Sequence, residues 1–326
     1  MVSSPYNHKM TGLMMDAVSK DHVTGEGHPE RPARFDAVAK ALSDGGHVEA
    51  MHRIASRAAT DDEVLACHTA PYLKMVERDI AVGHGTLSTG DTEIGPKSLE
   101  VARRAAGGAL QAVDAIFTGK VGNAFCVVRP PGHHATPGRG MGFCIFNNVA
   151  IAARYAQKKY GVKRVLIADW DVHHGNGTQD IFYSDGSVFF FSTHQSPWYP
   201  GTGARQEAGE GAGKGTTLNC PFPAGAGAAE ILGAFREQLL PAMAAFKPEF
   251  VILSAGFDSR HGDPLGRFQL TDPDFAALTN TMLGLADQHC KGRLLSMLEG
   301  GYSLSGLAAA ASAHAGALRG GIQSRG

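Results

Sequence analysis

The segment DWDVHH, residues 169–174, places two aspartates and two histidines directly after an apolar run. In an extended segment, residues i and i+2 face the same side, so Asp171 and His173 can present two ligands to one metal ion. Asp258, in SAGFDS, follows a second apolar run and is a third candidate ligand, or else a helix-capping or loop aspartate. An Asp2His set without thiolate suits zinc, with iron(II) as the alternative. Three protein ligands would leave a coordination position for water or substrate, as in catalytic sites.

Residues that could move protons lie in two other segments. His133 and His134 are adjacent in RPPGHH, and a neutral imidazole there could accept a proton from water while a charged one could donate to a leaving group. Asp169 and Asn176 are candidates to orient them. Tyr302, after two glycines in EGGY, could donate to a developing oxyanion. Each has a structural alternative, namely a packed histidine, a strand-end carboxylate or a half-buried tyrosine.

These side chains need a scaffold, and the apolar pattern predicts one. Five short runs are apolar without alternation, which is typical of parallel strands covered on both faces. They are residues 124–128, 164–168, 187–192, 250–255 and 294–298. Helical patterns lie at 147–159, 228–245 and 274–289, the last with Thr271 and Asp272 as capping candidates. Because ligands of parallel α/β sheets bind outside the carboxyl ends of the strands, we expect the polar segments after all five runs to meet at one edge.

Length, net charge and cysteine content exclude several kinds of protein. The 326 residues, 43% of them hydrophobic, are enough for one large domain, which we expect to span residues 1–326. The net charge of −1 does not favour direct nucleic-acid binding. The five cysteines form no C-x-x-C pair, so we expect neither a disulfide framework nor a thiolate cluster. Without a long apolar run, we expect no signal peptide and no membrane association, and a cytoplasmic location.

Six segments together resemble the zinc-dependent histone deacetylase superfamily. They are RPPGHH, GFCIFNN, DWDVHHGNGTQ, SAGFDS, GDPLG and EGGY, and GHPERPAR near the start fits as well. The similarity is closest to the class II branch and its bacterial histone deacetylase-like amidohydrolases, and it runs from about His28 to about Tyr302. It implies a single-domain arginase/deacetylase-like α/β fold, with a mainly parallel central sheet flanked by helices. It also implies zinc-dependent hydrolysis of acyl-lysine amides.

The resemblance also implies roles for individual residues. Asp171, His173 and Asp258 would hold one zinc ion per chain. His133 and His134 would be the catalytic pair, oriented by Asp169 and Asn176 respectively, and Tyr302 would polarise the carbonyl. The implied substrate-binding residues are Phe143 on the tunnel wall, Asp91 and Leu265 at the rim, and Gly301. Arg34 would lie near the foot of the pocket.

Structural potassium is implied as well. One ion would lie beside the zinc ligands, held by Asp169, Asp171, His173, Ser192 and Thr193, several of them through backbone carbonyls. A second site would involve Phe182, Asp185 and Val188. The expected partners are acylated lysine in a peptide or protein, or a small acetylated amine, and a homo-oligomer is left open.

Three other functions compete with lysine deacylation. An arginase-type ureohydrolase would need carboxylates for a second metal, but Gly175 and Arg260 stand at those positions. An acetylpolyamine amidohydrolase would use acidic groups at the pocket mouth, where this chain has Leu265. Glu26 and Glu93 could still supply acid at the rim. A catalytically silent homologue would have lost Tyr302, a histidine or a metal ligand, all of which are present.

Overall fold

A parallel β-sheet runs through the centre of the protein, whose computed structural model describes residues 10–320. The strands are β1 Thr11–Met15, β2 His52–Ile54, β3 Asn123–Val127, β4 Val165–Asp169, β5 Val188–Gln195, β6 Thr217–Phe222, β7 Phe250–Ala255 and β8 Leu294–Leu298. They form one eight-stranded sheet in the order β2-β1-β3-β8-β7-β4-β5-β6, and every neighbouring pair is parallel. Parallel neighbours require crossover connections, which the helices provide.

Helices cover both faces of the sheet. The α-helices are α1 Ala33–Asp44, α2 His47–Ala50, α3 Asp61–Val64, α4 Ala70–Ala81, α5 Ser98–Phe117, α6 Asn148–Tyr160, α7 Asn176–Phe182, α8 Ala228–Ala234, α9 Leu240–Phe246, α10 Asp272–Cys290 and α11 Leu304–Gly320. Successive residues of each strand face opposite sides, so Phe125 and Val127 join one apolar core while Ala124 and Cys126 join the other. The packing explains the apolar runs without alternation.

One helix cap links the scaffold to the histidine pair. The Asn147 side chain accepts a hydrogen bond from Ala150 N at 3.0 Å and so begins α6, and Gly161, with a φ of 68°, ends it. The amide of Asn147 also donates to the carbonyl of Ala135 at 3.2 Å. The same side chain therefore caps a helix and holds the loop that carries His134.

The predicted elements agree closely with the structure in the centre of the sheet. β7 and β8 have the predicted bounds, and β3 and β4 are displaced by one residue. β5 continues three residues beyond its predicted end. Thr271 is the N-cap of α10, as expected. The predicted helix 228–245 is divided, because a π-helical segment, Phe235–Leu239, lies between α8 and α9.

The described residues form a single α/β domain, as the sequence predicted. The predicted domain limits, residues 1 and 326, lie outside the described residues. Part of the N-terminal segment in which no signal peptide is expected lies outside them as well. Within residues 10–320, none of the helices is both long and apolar enough to traverse a bilayer.

Candidate active site

Four adjacent strands in the middle of the sheet end at the candidate site. The loop after β3 carries the histidine pair, and the loop after β4 carries Asp171 and His173. Asp258 follows β7, and Tyr302 follows β8. Because β3, β8, β7 and β4 are consecutive in the sheet, their carboxyl ends bring these loops together. The expected convergence at one edge is therefore observed.

The metal-ligand candidates form a buried cluster. One ligand atom each of Asp171, His173 and Asp258 lies within 4.8 Å of the other two. The Nδ1 atom of His173 lies 2.9 Å from Asp171 Oδ1 and 3.3 Å from Asp258 Oδ2. Backbone amides aim the carboxylates, since Val172 N donates to Asp258 Oδ1 and Gly300 N donates to Asp171 Oδ2, both at 2.8 Å. The three side chains could hold one cation.

Two observations test whether this cluster fits a metal. Among the described residues, Asp258 Oδ2 is a buried polar atom without a hydrogen-bond partner, which is costly unless a cation satisfies it. Gly300 lies close to this oxygen, and a Cβ built on it would lie 2.0 Å away. Because glycine has no side chain, the space beside the oxygen stays open for an ion. An imidazole with two carboxylates is a donor set that zinc accepts. The cluster therefore fits a divalent ion of that kind.

The pKa of His173 also indicates that the cluster suits a cation. Burial alone would lower the pKa of His173, but the neighbouring carboxylates of Asp171 and Asp258 raise it to about 10. A proton on His173 thus balances the negative charge of Asp171 and Asp258, and a bound cation would balance it in the same way. Binding of a metal by the neutral imidazole would release that proton.

Each histidine of the pair has its own partner. His133 Nδ1 lies 2.9 Å from Asp169 Oδ2, and His134 Nδ1 lies 2.8 Å from Asn176 Oδ1. An amide oxygen only accepts, so His134 donates from Nδ1 and its Nε2 is left to accept a proton. The contacts match the orienting pairs expected from the resemblance.

The environments of the two histidines drive their pKa values apart. Burial opposes the charged form of His133, yet the carboxylates of Asp169 and Asp171 raise its pKa well above the usual value. Burial, together with the positive charges of His133 and His173, lowers the pKa of His134 well below the usual value. A dication bound nearby would lower both. The pKa values of the two histidines are therefore shifted in opposite directions, which marks His134 as the candidate base.

Glu299 holds the histidine loop and was not singled out from the sequence. Its Oε2 accepts from the backbone N–H groups of Gly132, at 2.6 Å, and His133, at 3.2 Å. Ser254 donates to its other oxygen at 3.1 Å. Burial raises the pKa of Glu299 to about 7, although the charge on His133 opposes the shift. Its place as a buried acid directly after β8, in EGGY, was the available signal.

Tyr302 is held by its backbone and by a cation. Its N–H donates to Asp263 Oδ2 at 2.7 Å, and this aspartate of GDPLG was not among the predicted site residues. The guanidinium of Arg34 lies 5.0 Å from the ring centroid and donates to the carbonyls of Glu299 and Gly301, both at 2.6 Å. Burial raises the pKa of Tyr302 well above its usual value, against the opposing charge of Arg34, so the phenol stays protonated as a donor.

A cavity of about 260 Å³ leads to these groups. It is lined by Asp91, His134, Gly142, Phe143, His173, Trp198, Tyr199, Leu265 and Tyr302. Phe143, Asp91 and Leu265 thus line this cavity, and their substrate-binding role stays a prediction. Gly301 is not among these lining residues, and its carbonyl faces Arg34 instead.

Two aromatic residues of this wall, Trp198 and Tyr199, were not selected from the sequence. The indole of Trp198 donates to the carbonyl of Leu265 at 2.8 Å. The Tyr199 ring lies 5.3 Å from the His134 ring, perpendicular to it. Both belong to the segment that follows β5, and this position after a central strand was the only signal for them.

The residues expected at the potassium sites have other contacts. Ser192 Oγ lies 3.0 Å from His194 Nδ1. The Asp185 carboxylate accepts from Arg154 at 2.5 Å, and the Asp185 N–H donates to the Phe182 carbonyl at 2.9 Å. Both potassium sites stay predictions.

Known proteins resemble this chain along most of its length. The family model of the histone deacetylase domain matches residues 28–318. A probable deacetylase of Archaeoglobus fulgidus is 40% identical over 299 residues, which cover 91% of this chain and 82% of that protein. A histone deacetylase-like amidohydrolase of Pseudomonas aeruginosa is 39% identical over 278 residues, with coverages of 85% and 73%. Some other curated relatives are longer, and the chain spans 53% of one and 31% of another.

The fold agrees with these matches. A crystal structure of an HDA15 HD domain superposes with a TM-score of 0.91 at 40% sequence identity, and the match covers 96% of this chain and 90% of that one. Similarity to deacetylases and an amidohydrolase supports an enzyme of the hydrolase class. The chain belongs to the histone deacetylase family.

Proposed function

We propose that this protein is a zinc-dependent amidohydrolase that removes acyl groups from lysine side chains of peptides or proteins. One observation carries the proposal: His134, Tyr302 and the metal-ligand candidate His173 line the same cavity. Amide hydrolysis requires a base, a donor for the oxyanion and a metal ion that can all reach one bound amide.

The metal and the base would share the activation of water. Zinc bound by Asp171, His173 and Asp258 would polarise the acyl carbonyl and lower the pKa of water to about 7. His134 is suited to take the proton, because its lowered pKa favours the neutral imidazole and the hydrogen bond from its Nδ1 to Asn176 leaves Nε2 as the acceptor. No nucleophilic side chain is needed, and burial raises the pKa of the Cys144 thiol well above its usual value.

Tyr302 and the histidines would complete the reaction. The Tyr302 hydroxyl would donate to the carbonyl oxygen as negative charge develops on it. The departing amine needs a proton when the C–N bond breaks, and the proton that His134 has taken from water can supply it. His133 would lie beside His134, oriented by Asp169, whose charge favours the protonated imidazole. The products are a carboxylate and a free amine.

The cavity walls support acyl-lysine over acetylated polyamines as substrates. Leu265 offers apolar contact and no charge, and Asp91 is the only carboxylate among the residues that line the cavity. Of the two other rim candidates, Glu93 accepts from Gly25 N at 2.6 Å and Glu26 is exposed. The Asp91 carboxylate already accepts from Gly142 and Tyr199, so a distal ammonium would find no dedicated acidic partner in the cavity, whereas a lysine within a peptide has no such second charge. Acetylpolyamine hydrolysis is the alternative.

A substrate panel tests the proposal. Purified protein loaded with zinc is assayed on acyl-lysine peptides and on acetylated polyamines in one buffer, with metal content measured in parallel. We expect one zinc per chain and a higher kcat/KM on acyl-lysine peptides. A preference for acetylputrescine or acetylspermidine would assign the protein to the alternative. Absence of turnover on every substrate by the zinc-loaded protein would contradict both.

A further inference from the structure

Asp91 joins two segments that wall the cavity. Its Oδ1 accepts the N–H of Gly142, and its Oδ2 accepts the hydroxyl of Tyr199, each at 2.8 Å. Gly142 directly precedes Phe143, so one oxygen holds the backbone of the first aromatic wall and the other holds the side chain of the second. Both aromatic residues line the cavity.

The Phe143 wall needs such support. Gly142 and Phe143 both have left-handed backbone conformations, with φ of 55° and 67°. A phenylalanine in this region is strained, and such residues persist only where their surroundings hold them. The bond from Asp91 acts directly on this turn. Thr89, on the same loop as Asp91, also donates to the carbonyl of Gly140 at 2.7 Å.

The Tyr199 wall has less support of its own. The residue is 39% exposed, and its ring makes edge contacts with His134 at 5.3 Å and with His173 at 6.2 Å between centroids. Edge contacts between rings are weak and tolerate rotation. A hydrogen bond from a phenol to a carboxylate is stronger and directional, so it fixes where the ring lies.

We propose that Asp91 and the Tyr199 hydroxyl form a brace, the Asp91 brace, that sets the spacing of the two aromatic walls and makes Tyr199 a positioning residue for the acylated side chain. The inference rests on the proposed function, because the walls would contact the methylenes of the acylated side chain. Its distinctive consequence is that the phenol hydroxyl, not only the ring, matters for every acylated amine that enters, including one without a peptide backbone. A carboxylate has about four acceptor positions, so the brace leaves Asp91 able to accept from substrate amides too.

The test compares two substrates that differ only in the backbone. They are an acetyl-lysine peptide and N-acetylbutylamine, which keeps the acetylated four-carbon chain without backbone amides. Tyr199→Phe, Asp91→Ala and the double variant are assayed in the full zinc-loaded chain. Tyr183→Phe is the matched control, because it removes a phenol hydroxyl that contributes nothing to the cavity lining.

We expect Tyr199→Phe to raise KM roughly three- to tenfold on both substrates with kcat nearly unchanged, the range for loss of one hydrogen bond. On N-acetylbutylamine the double variant should be no worse than Asp91→Ala alone, because both changes remove the same brace. An unchanged KM, an increase confined to the peptide, or additive effects on N-acetylbutylamine would each overturn the inference.

A measurement without substrate separates this inference from the proposed function. Trp198 adjoins Tyr199 and is partly exposed, whereas Trp170 is fully buried, so acrylamide quenching reports on the Tyr199 segment. Tyr199→Phe should increase quenching and Tyr183→Phe should not. If the wild type cleaves neither substrate, the proposed function fails, and unchanged quenching in Tyr199→Phe would then overturn the brace on its own.

Discussion

Replacement of Gly300 by alanine is expected to destroy the metal site while the sheet remains folded. A Cβ at this position would lie 2.0 Å from Asp258 Oδ2 and 2.6 Å from Asp171 Oδ2. Real Cβ atoms essentially never approach within 3.0 Å of such atoms, so the Asp258 oxygen would have to retreat by about 1 Å. The φ of Gly300 lies outside the left-handed region, so an alanine backbone is not strained there and the effect comes from the added methyl group.

The size of the effect follows from metal geometry. Ligand distances in metal sites are held to about 0.2 Å, so a displacement of about 1 Å removes a ligand. We expect zinc affinity to fall by at least about a hundredfold, which is the upper end of the loss seen when a group that supports a metal ligand is changed. Activity at limiting zinc should fall with it. Asp258→Ala gives the reference for complete loss of a ligand.

The assay is zinc competition against a chelator, with thermal unfolding measured on the same samples. Gly233→Ala in α8 is the matched control, because within residues 10–320 no heavy atom beyond its chain neighbours and the helix's own backbone lies within 4 Å of the new Cβ, and a helical alanine should stabilise by about 0.5–1 kcal/mol. Gly300→Ala protein that binds one zinc with wild-type affinity would refute the placement of the metal between Asp171 and Asp258.

Three further predictions concern catalysis, specificity and pH. Tyr302→Phe should lower kcat about a hundredfold, near 3 kcal/mol, with unchanged zinc content, and near-native turnover would assign the tyrosine to packing. Leu265→Glu should shift the kcat/KM ratio toward acetylated polyamines by about 1–3 kcal/mol, and an unchanged ratio would remove Leu265 from the rim. Burial lowers the pKa of His314 to about 3, so its contribution to stability is complete above about pH 6.5 and is lost as the pH falls toward 3. Between pH 7 and 5 the wild type should therefore lose about 2 kcal/mol more unfolding free energy than His314→Gln, measured with urea, and equal losses would contradict the shift.

The residues that the sequence predicted well are those whose placement depends on strand periodicity and parallel topology. Asp171 and His173 are two apart beyond a buried strand, and Asp258 and Tyr302 follow two more strands, so their meeting at one edge could be anticipated. Strands β1, β2 and β6 were not predicted, and the edge strand β2 shows one reason. β2 has only three residues, HRI, and none of them is buried, so it lacks the apolar signal of the central strands.

The missing site residues depend on tertiary contacts that periodicity does not encode. Glu299 shows its role through the N–H groups of a loop 166 and 167 positions away in sequence, although its place after β8 was a weak signal. Tyr199 likewise shows its role through its hydrogen bond to Asp91, 108 positions away. The π-helical segment at Phe235–Leu239 is also invisible in a helical pattern, because its apolar residues still face the core.

The position of β8 between β3 and β7 has a consequence for biosynthesis. It is the last strand of the described chain, yet it is the only strand joining the β2-β1-β3 group to the β7-β4-β5-β6 group. Until β8 has left the ribosome, a nascent chain can therefore form at most two separate half-sheets, and the inner edges of β3 and β7 would be unpaired. Unpaired edges template association with other chains, so we expect the chain to be most prone to aggregation in this interval. The loop with His133 and His134 follows β3, and the metal-ligand candidates follow β4 and β7, so they belong to different half-sheets until β8 is in place. Enzyme activity would therefore report that the whole sheet has formed.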